Sequence, residues 1–345
     1  EVIWDAVDKE YQSVKDARKS EAKKEKKDTL KSSIAFKAEQ HYESPLPPLN
    51  IDKERWKALL NRVTSVRKEG VSAICTANFI CEQHRKYLVS SEGTEIVQNR
   101  RSFIINLNVK VKDKKEDISA LNKVFFAHNE GELPSEEELK NAITDLIDRA
   151  DALSKAPLAE AYTGPVLFSG DASGVFFHEV LGHRLEKEDS EFKTMMETRV
   201  LPEGFSISCD PTLDNFDGTP IHGGYLFDDE GTKAQKVECI KDGILKSMLR
   251  GRWSEKGETE SNGHSRAAFG EKASPRQSNF FVETSHPYTE EQLRGMLIQE
   301  LKDKNKEYGY YIRTVSNGWT TTGTNTNRIS SFNVVPIETY KVYAS

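Results

Sequence analysis

The hydrophobic and polar positions of this chain change period several times, and each change marks an element. Trp4, Val7, Tyr11 and Val14 recur at helical spacing, so residues 1–40 read as a long helix. Lysines dominate it from Lys15 to Lys31 with acids interspersed, and the mixed signs suit a solvated face better than a nucleic-acid arm. Three prolines between His41 and Asn50 make an extended linker. A second helix is expected from Ile51 to about Arg67, with Asp52 as its N-cap. Residues 71–112 alternate as strands, turning at Glu92-Gly93-Thr94 and continuing through the run Phe103 to Val109. Ser135 followed by Glu138 fits a capping box. It opens a helix to about Ser154 whose buried stripe is Leu139, Ile143, Leu146 and Ile147.

Pro157 marks a domain boundary, with residues 1–156 on one side and 157–345 on the other. Pro165-Val166-Leu167-Phe168 is a short strand that turns at Ser169–Gly174 into an apolar helix ending near Glu186. The turn lacks the Lys-Ser/Thr ending of a phosphate-binding loop, and its serine is out of register for a nucleophile elbow. Residues 205–284 read as hairpins, Thr289–Lys304 as a helix, and the remainder alternates again. The fold class is therefore α+β: N-terminal helices with an antiparallel sheet, then a β-rich domain carrying the apolar helix.

That helix holds the chemistry. His178 and His183 flank Glu179 in the run Val175 to Glu186. Imidazoles bind Zn²⁺, and a carboxylate beside the ion can take a proton from its water. On a regular helix, residues five apart sit about 140° apart, so one ion could not easily take both rings. A π-bulge would bring them together, and Gly182 is where it is expected. The alternative is a buried helix with two incidental histidines. His178 and His183 are thus the candidate metal ligands and Glu179 the candidate general base. Glu186, three residues past His183, is either a further ligand or a carboxylate that holds the His183 tautomer.

The run His178-Glu179-x-x-Gly182-His183-x-Leu185-Glu186 resembles the TldD/PmbA family, peptide-processing metalloproteases once described as modulators of DNA gyrase. Further resemblances follow in order: Tyr225–Gln235 around Asp228-Asp229-Glu230-Gly231, the hairpin Ile240–Leu245, Asn262–Arg266 and Pro275–Asn279. Together they cover about residues 157–285, and the whole looks most like a secreted branch. The resemblance implies a zinc-dependent peptidase acting on extended or unstructured peptides, in a homo- or heterodimer with a related subunit around an enclosed cavity. It implies a third metal ligand, a cysteine near the family's C-terminus. Cys75, Cys81, Cys209 and Cys239 lie in no such context, so that ligand is expected outside this chain, which reads as truncated at its C-terminal end. A catalytically silent peptide-binding or partner subunit is the second functional reading; the His-Glu…His run favours the first.

Bulk properties narrow this little. A formal charge of −6 argues against nucleic acid as a main partner. No apolar run approaches the length of a membrane span. The four cysteines make neither a Cys-x-x-Cys pair nor a disulfide framework, and Cys239 suits a core strand. His222 and His264, in Gly-rich turns, read as surface or turn residues that could meet substrate. Asp214–Gly218 reads as a β-turn rather than a calcium loop. Glu1 is not a natural start, so a mature product or a piece of a longer chain is expected, periplasmic or secreted by resemblance, with the cytoplasm as the alternative.

Overall fold

The computed structural model describes residues 5, 7–13, 15–16, 32–33, 40–112, 118–186, 190–254, 260–268, 270–321 and 331–345. Of the long helix expected over residues 1–40, positions 5, 7–13 and 15–16 are helical, and most of the rest lies outside the described residues. The far end departs from the expectation. Ser32–Ser33 is extended and pairs antiparallel with Trp253–Ser254, so a cross-strand contact wins over helical propensity there.

Two long strands, Ala73–Val89 and Glu95–Lys112, form the spine of the first half. They pair antiparallel from Ala73↔Val111 to Val89↔Glu95 around the expected turn. Ile118–Ala127, which the polarity pattern did not announce, pairs with the other side of Glu95–Lys112 over residues 103–112. His41–Glu43 lies parallel to residues 95–97 on that same side. Alternation then sorts the side chains. Ile105, Leu107, Val109 and Val111 point to one face and are buried. They meet Trp56 and Val63 of the helix Lys53–Thr64, and Leu139, Ile143, Leu146 and Ile147 of the helix Glu136–Lys155. Each such side chain contributes about 1.5–3 kcal/mol when fully buried. Both helices start where their caps predict. The Asp52 carboxylate accepts from Arg55 N, and Ser135 and Glu138 form a reciprocal capping box.

The second half is built from shorter pieces. Phe205–Cys209 is flanked by Val237–Lys241 and Phe280–Thr284, and Ile244–Leu245 closes the sheet beyond Val237–Lys241. Leu185, Ile207, Cys209, Cys239, Ile240 and Leu245 form its core. Cys239 thus occupies the interior as expected, and all four cysteines are free thiols. Asn215–Phe216 and Thr219–Pro220 make a hairpin whose turn residues Asp217 and Gly218 both have positive φ, 46° and 78°. That is a two-residue hairpin turn rather than an ion loop.

A long ribbon, Tyr308–Thr321 with Ser331–Tyr343, runs beside both halves. Its first strand takes Val166–Phe168 as a parallel neighbour. Its second strand places Ile337 against the first core and Glu338 against Arg149. The helix Glu290–Asp303, opened by a Thr289/Gln292 capping box, packs Leu297 and Leu301 near the ribbon end. The architecture is α+β, as expected. Among the described residues, no helix is long and apolar enough to cross a membrane.

Candidate metal centre

The site grows out of the short strand Val166–Phe168. Ser169 ends that strand and caps the next helix, its Oγ accepting from Ala172 N and donating to Arg313 O. The helix Gly170–Phe177 then widens into a five-residue π turn, His178–Gly182, before one last α turn, His183–Glu186. The His183 N–H donates to the carbonyl of His178, five residues back. Five residues now complete little more than one turn, so both imidazoles fall on one side. Gly182 lies inside the widened turn, where a Cβ would collide with the Gln277 side chain. The spacing of the two histidines, with the glycine between them, placed the distortion here from sequence.

The two rings lie 4.5 Å apart, centroid to centroid, at 77°. The Glu179 carboxylate sits between them. Its Oε1 is 4.0 Å from His178 Nε2 and its Oε2 is 3.8 Å from His183 Nε2. One donor atom from each of His178, Glu179 and His183 falls within 4.8 Å of the others. Among the described residues, no cysteine joins them.

The surroundings fix these groups. Glu179 is buried and packs on Gly318, where any Cβ would strike its side chain. Thr320 Oγ1 lies 2.5 Å from Glu179 Oε2 and 2.6 Å from the Glu179 carbonyl, a donor within reach of either. Glu186 does not join the donor cluster. Its Oε2 faces His183 Nδ1 at 2.9 Å, leaving Nε2 turned to the site. Arg276 Nη1 donates to the same carboxylate, as do the backbone and side-chain nitrogens of Gln277. Of the two readings the sequence left open for Glu186, this geometry matches the carboxylate that contacts His183 Nδ1.

The electrostatics follow. Burial, and then the neighbouring His183, lower the His178 pKa and favour the neutral ring. The Glu186 hydrogen bond raises that of His183 despite burial. Burial opposes ionisation of Glu186, but the His183 and Gln277 hydrogen bonds outweigh it and hold the carboxyl below its usual range.

His264 corrects the sequence reading. It is fully buried, not a surface turn. Its Nδ1 meets Asn262 O at 2.9 Å and its Nε2 meets Ser278 Oγ at 3.2 Å. Its own carbonyl accepts from Arg276 N. The ring therefore braces the segment that delivers Arg276 and Gln277 to Glu186. A buried histidine with a partner on each nitrogen satisfies both polar atoms, which local glycine content could not reveal. His222 is exposed, edge-on to Phe126. Thr320 and Gly318 gave no sequence signal, since they lie in an ordinary alternating strand. Arg276 and Gln277 fell in a segment recognised by resemblance but were assigned no role.

Residues 161–336 match the model of the PmbA/TldA metallopeptidase C-terminal domain, which is half of this chain. The chain belongs to the PmbA/TldD metallopeptidase family. A metalloprotease of Methanothermobacter thermautotrophicus is 24% identical over 286 residues, covering 81% of this chain and 59% of that protein. A zinc metalloprotease TldD homolog of Saccharolobus solfataricus is 24% identical, over 49% of this chain and 38% of that protein. Among solved structures, TldE from Thermococcus kodakarensis superposes with a TM-score of 0.62 at 13% identity, covering 94% of this chain and 70% of that one. The chain spans about six tenths of the length of the first of these relatives.

Proposed function

We propose that this chain carries the metal centre of a zinc-dependent peptidase that hydrolyses extended or unstructured peptides. The observation that carries the reading is the convergence of His178, Glu179 and His183 on a turn widened to bring them together. Two imidazole nitrogens beside a carboxylate are a donor set that suits Zn²⁺. His178 and His183 hold the ion, and Glu186 keeps the Nε2 of His183 free for it. When bound, zinc acidifies a water and polarises the scissile carbonyl. Glu179 takes the proton from the attacking water and returns it to the leaving amine. Thr320 and Gly318 hold the Glu179 carboxylate between the rings. Relatives named metalloproteases, one of them zinc-dependent, support the reaction class.

The test is zinc content together with cleavage of an unstructured peptide. Glu179→Gln is expected to keep the metal and lose cleavage by about 10²–10⁴-fold. His183→Ala is expected to lose both. Undiminished cleavage by Glu179→Gln would remove the general base from the proposal.

A further inference from the structure

A cavity lined by both charged and apolar side chains lies away from these donors. The strand Glu95–Lys112 has pairing partners along both sides except at residues 98–102, which fall between His41–Glu43 and Ile118–Ala127. There the sheet meets loops of the second half. Gln98 fixes the join, its Nε2 donating to Phe227 O and its Oε1 accepting from the Leu226 and Phe227 amides. Beside it opens a cavity of about 540 Å³. Pockets of roughly 300–1,000 Å³ hold small organic ligands. Lys86 and Arg100 come from the sheet, while His222, Tyr225, Asp229 and Arg266 come from the loops.

Most charges around this cavity have partners. Lys86 pairs with Asp229. Arg266 reaches the same carboxylate at 3.5 Å and stacks on Tyr225, 4.4 Å from the ring centre. Arg101 donates to Gln83 and to the Pro47 carbonyl. The exceptions are the Asp214 carboxylate and, above all, Arg100. Its Nη2 is buried and has no hydrogen-bond partner among the described residues. Burial, then Arg266, push its pKa below the usual value, with Asp214 opposing. A guanidinium stays charged in proteins, so its partial burial beside Arg266 is a cost that Asp214 offsets only in part. His222 is exposed on one side only: its ring lies against Phe126 at the cavity wall, and this partial burial, then Arg100 and His128, lower its pKa. An orphaned buried donor is costly; that nitrogen is closed off from the cavity, but it leaves the charge of Arg100 incompletely compensated at the cavity wall.

We propose that this cavity binds a small organic carboxylate, whose oxygens meet Arg100 beside Arg266 and whose apolar body lies against Leu226 and Phe227. The lining carries four permanent cations, Lys86, Arg100, Arg101 and Arg266, against Glu82, Asp214 and Asp229. One excess positive charge matches a monoanion better than a phosphate dianion, and the planar guanidinium fork matches a carboxylate. The inference is independent of the peptidase reading and survives its failure.

The probes are N-acetylphenylalanine, its carboxamide and inorganic phosphate, followed by thermal shift and calorimetry. The free acid is expected to raise the Tm of the wild-type protein by about 2–4 °C, and the carboxamide to leave it unchanged. Arg100→Gln is expected to raise the Tm of the ligand-free protein and to weaken binding of the acid by roughly tenfold or more. Arg266→Gln weakens it less, and His183→Ala leaves it unaltered while removing zinc. No shift in the wild-type protein, equal binding of acid and carboxamide, or Arg100→Gln binding within twofold of wild type would each overturn the proposal. Tighter binding of phosphate than of the acid would overturn the carboxylate assignment.

Discussion

The sheet of the first half and the hairpins of residues 205–284 are both built on antiparallel strand pairs, yet different forces hold them. The first half has strands of 17 and 18 residues with an apolar row on one face and two capped helices against it. The hairpin region has strands of two to five residues. It relies on buried polar side chains that bond to backbone. Asp228 accepts from the amides of Glu230, Thr232 and Ser265. Asn279 donates to the Asp210 and Leu213 carbonyls and accepts from Gly223 N. One half is stabilised by area removed from water. The other is specified by individual bonds, and those bonds position the groups around Glu186.

Ile143→Ala should produce the largest effect, because it empties a fully buried position between helix and sheet. A loss of about 2–5 kcal/mol is expected in denaturant unfolding. A loss below about 1 kcal/mol would mean the first half does not depend on its apolar layer.

Glu338→Gln probes the tie between the halves. Glu338 is 2% exposed and receives Arg149 Nε at 2.9 Å and Thr314 Oγ1 at 2.9 Å. Burial opposes its ionisation, but the Arg149 hydrogen bonds prevail and hold its pKa below the ordinary carboxylate value. A depressed folded pKa gives stability that is present above the unfolded value, roughly pH 4.3, and lost as pH falls through the folded one. Breaking the pair should cost about 3 kcal/mol at pH 7. The gap between wild type and variant should close on acidification below about pH 4. A gap independent of pH would reject the ion pair as its source.

Asn279→Ala should cost less overall, about 1–3 kcal/mol, but act locally. Hydrogen exchange should quicken at Gly223, whose amide loses its acceptor, and leave residues 103–111 protected. Uniform loss of protection across both halves would erase the contrast drawn above.

The same contrast explains what could be read from the chain. Asp52, Ser135 and Glu138 act on residues three positions away, so the helix starts were visible. The π turn was visible because two histidines five apart beside a glycine make sense only there. Ile118–Ala127 was not foreseen, since its partner strand rather than its own pattern orders it. His264 and Thr320 were equally hidden. Their decisive contacts, Ser278 and Glu179, lie 14 and 141 positions away. Glu186 stood between: His183 is local, but Arg276 and Gln277 arrive from 90 and 91 residues downstream.

The irregular pairing of Tyr308–Thr321 with Ser331–Tyr343 has its own consequence. Register shifts at Ile312/Thr314, Thr314/Val315 and Val315/Gly318 set the phase in which the strand reaches the histidine-bearing helix. In that phase a bare α-carbon at 318 and a hydroxyl at 320 flank the acid. Sliding by a single residue would aim the Trp319 indole at that spot instead, since alternate side chains swap faces. The kinks therefore act as a vernier, and insertions or deletions between 312 and 318 should be tolerated far less than their distance from the imidazoles suggests.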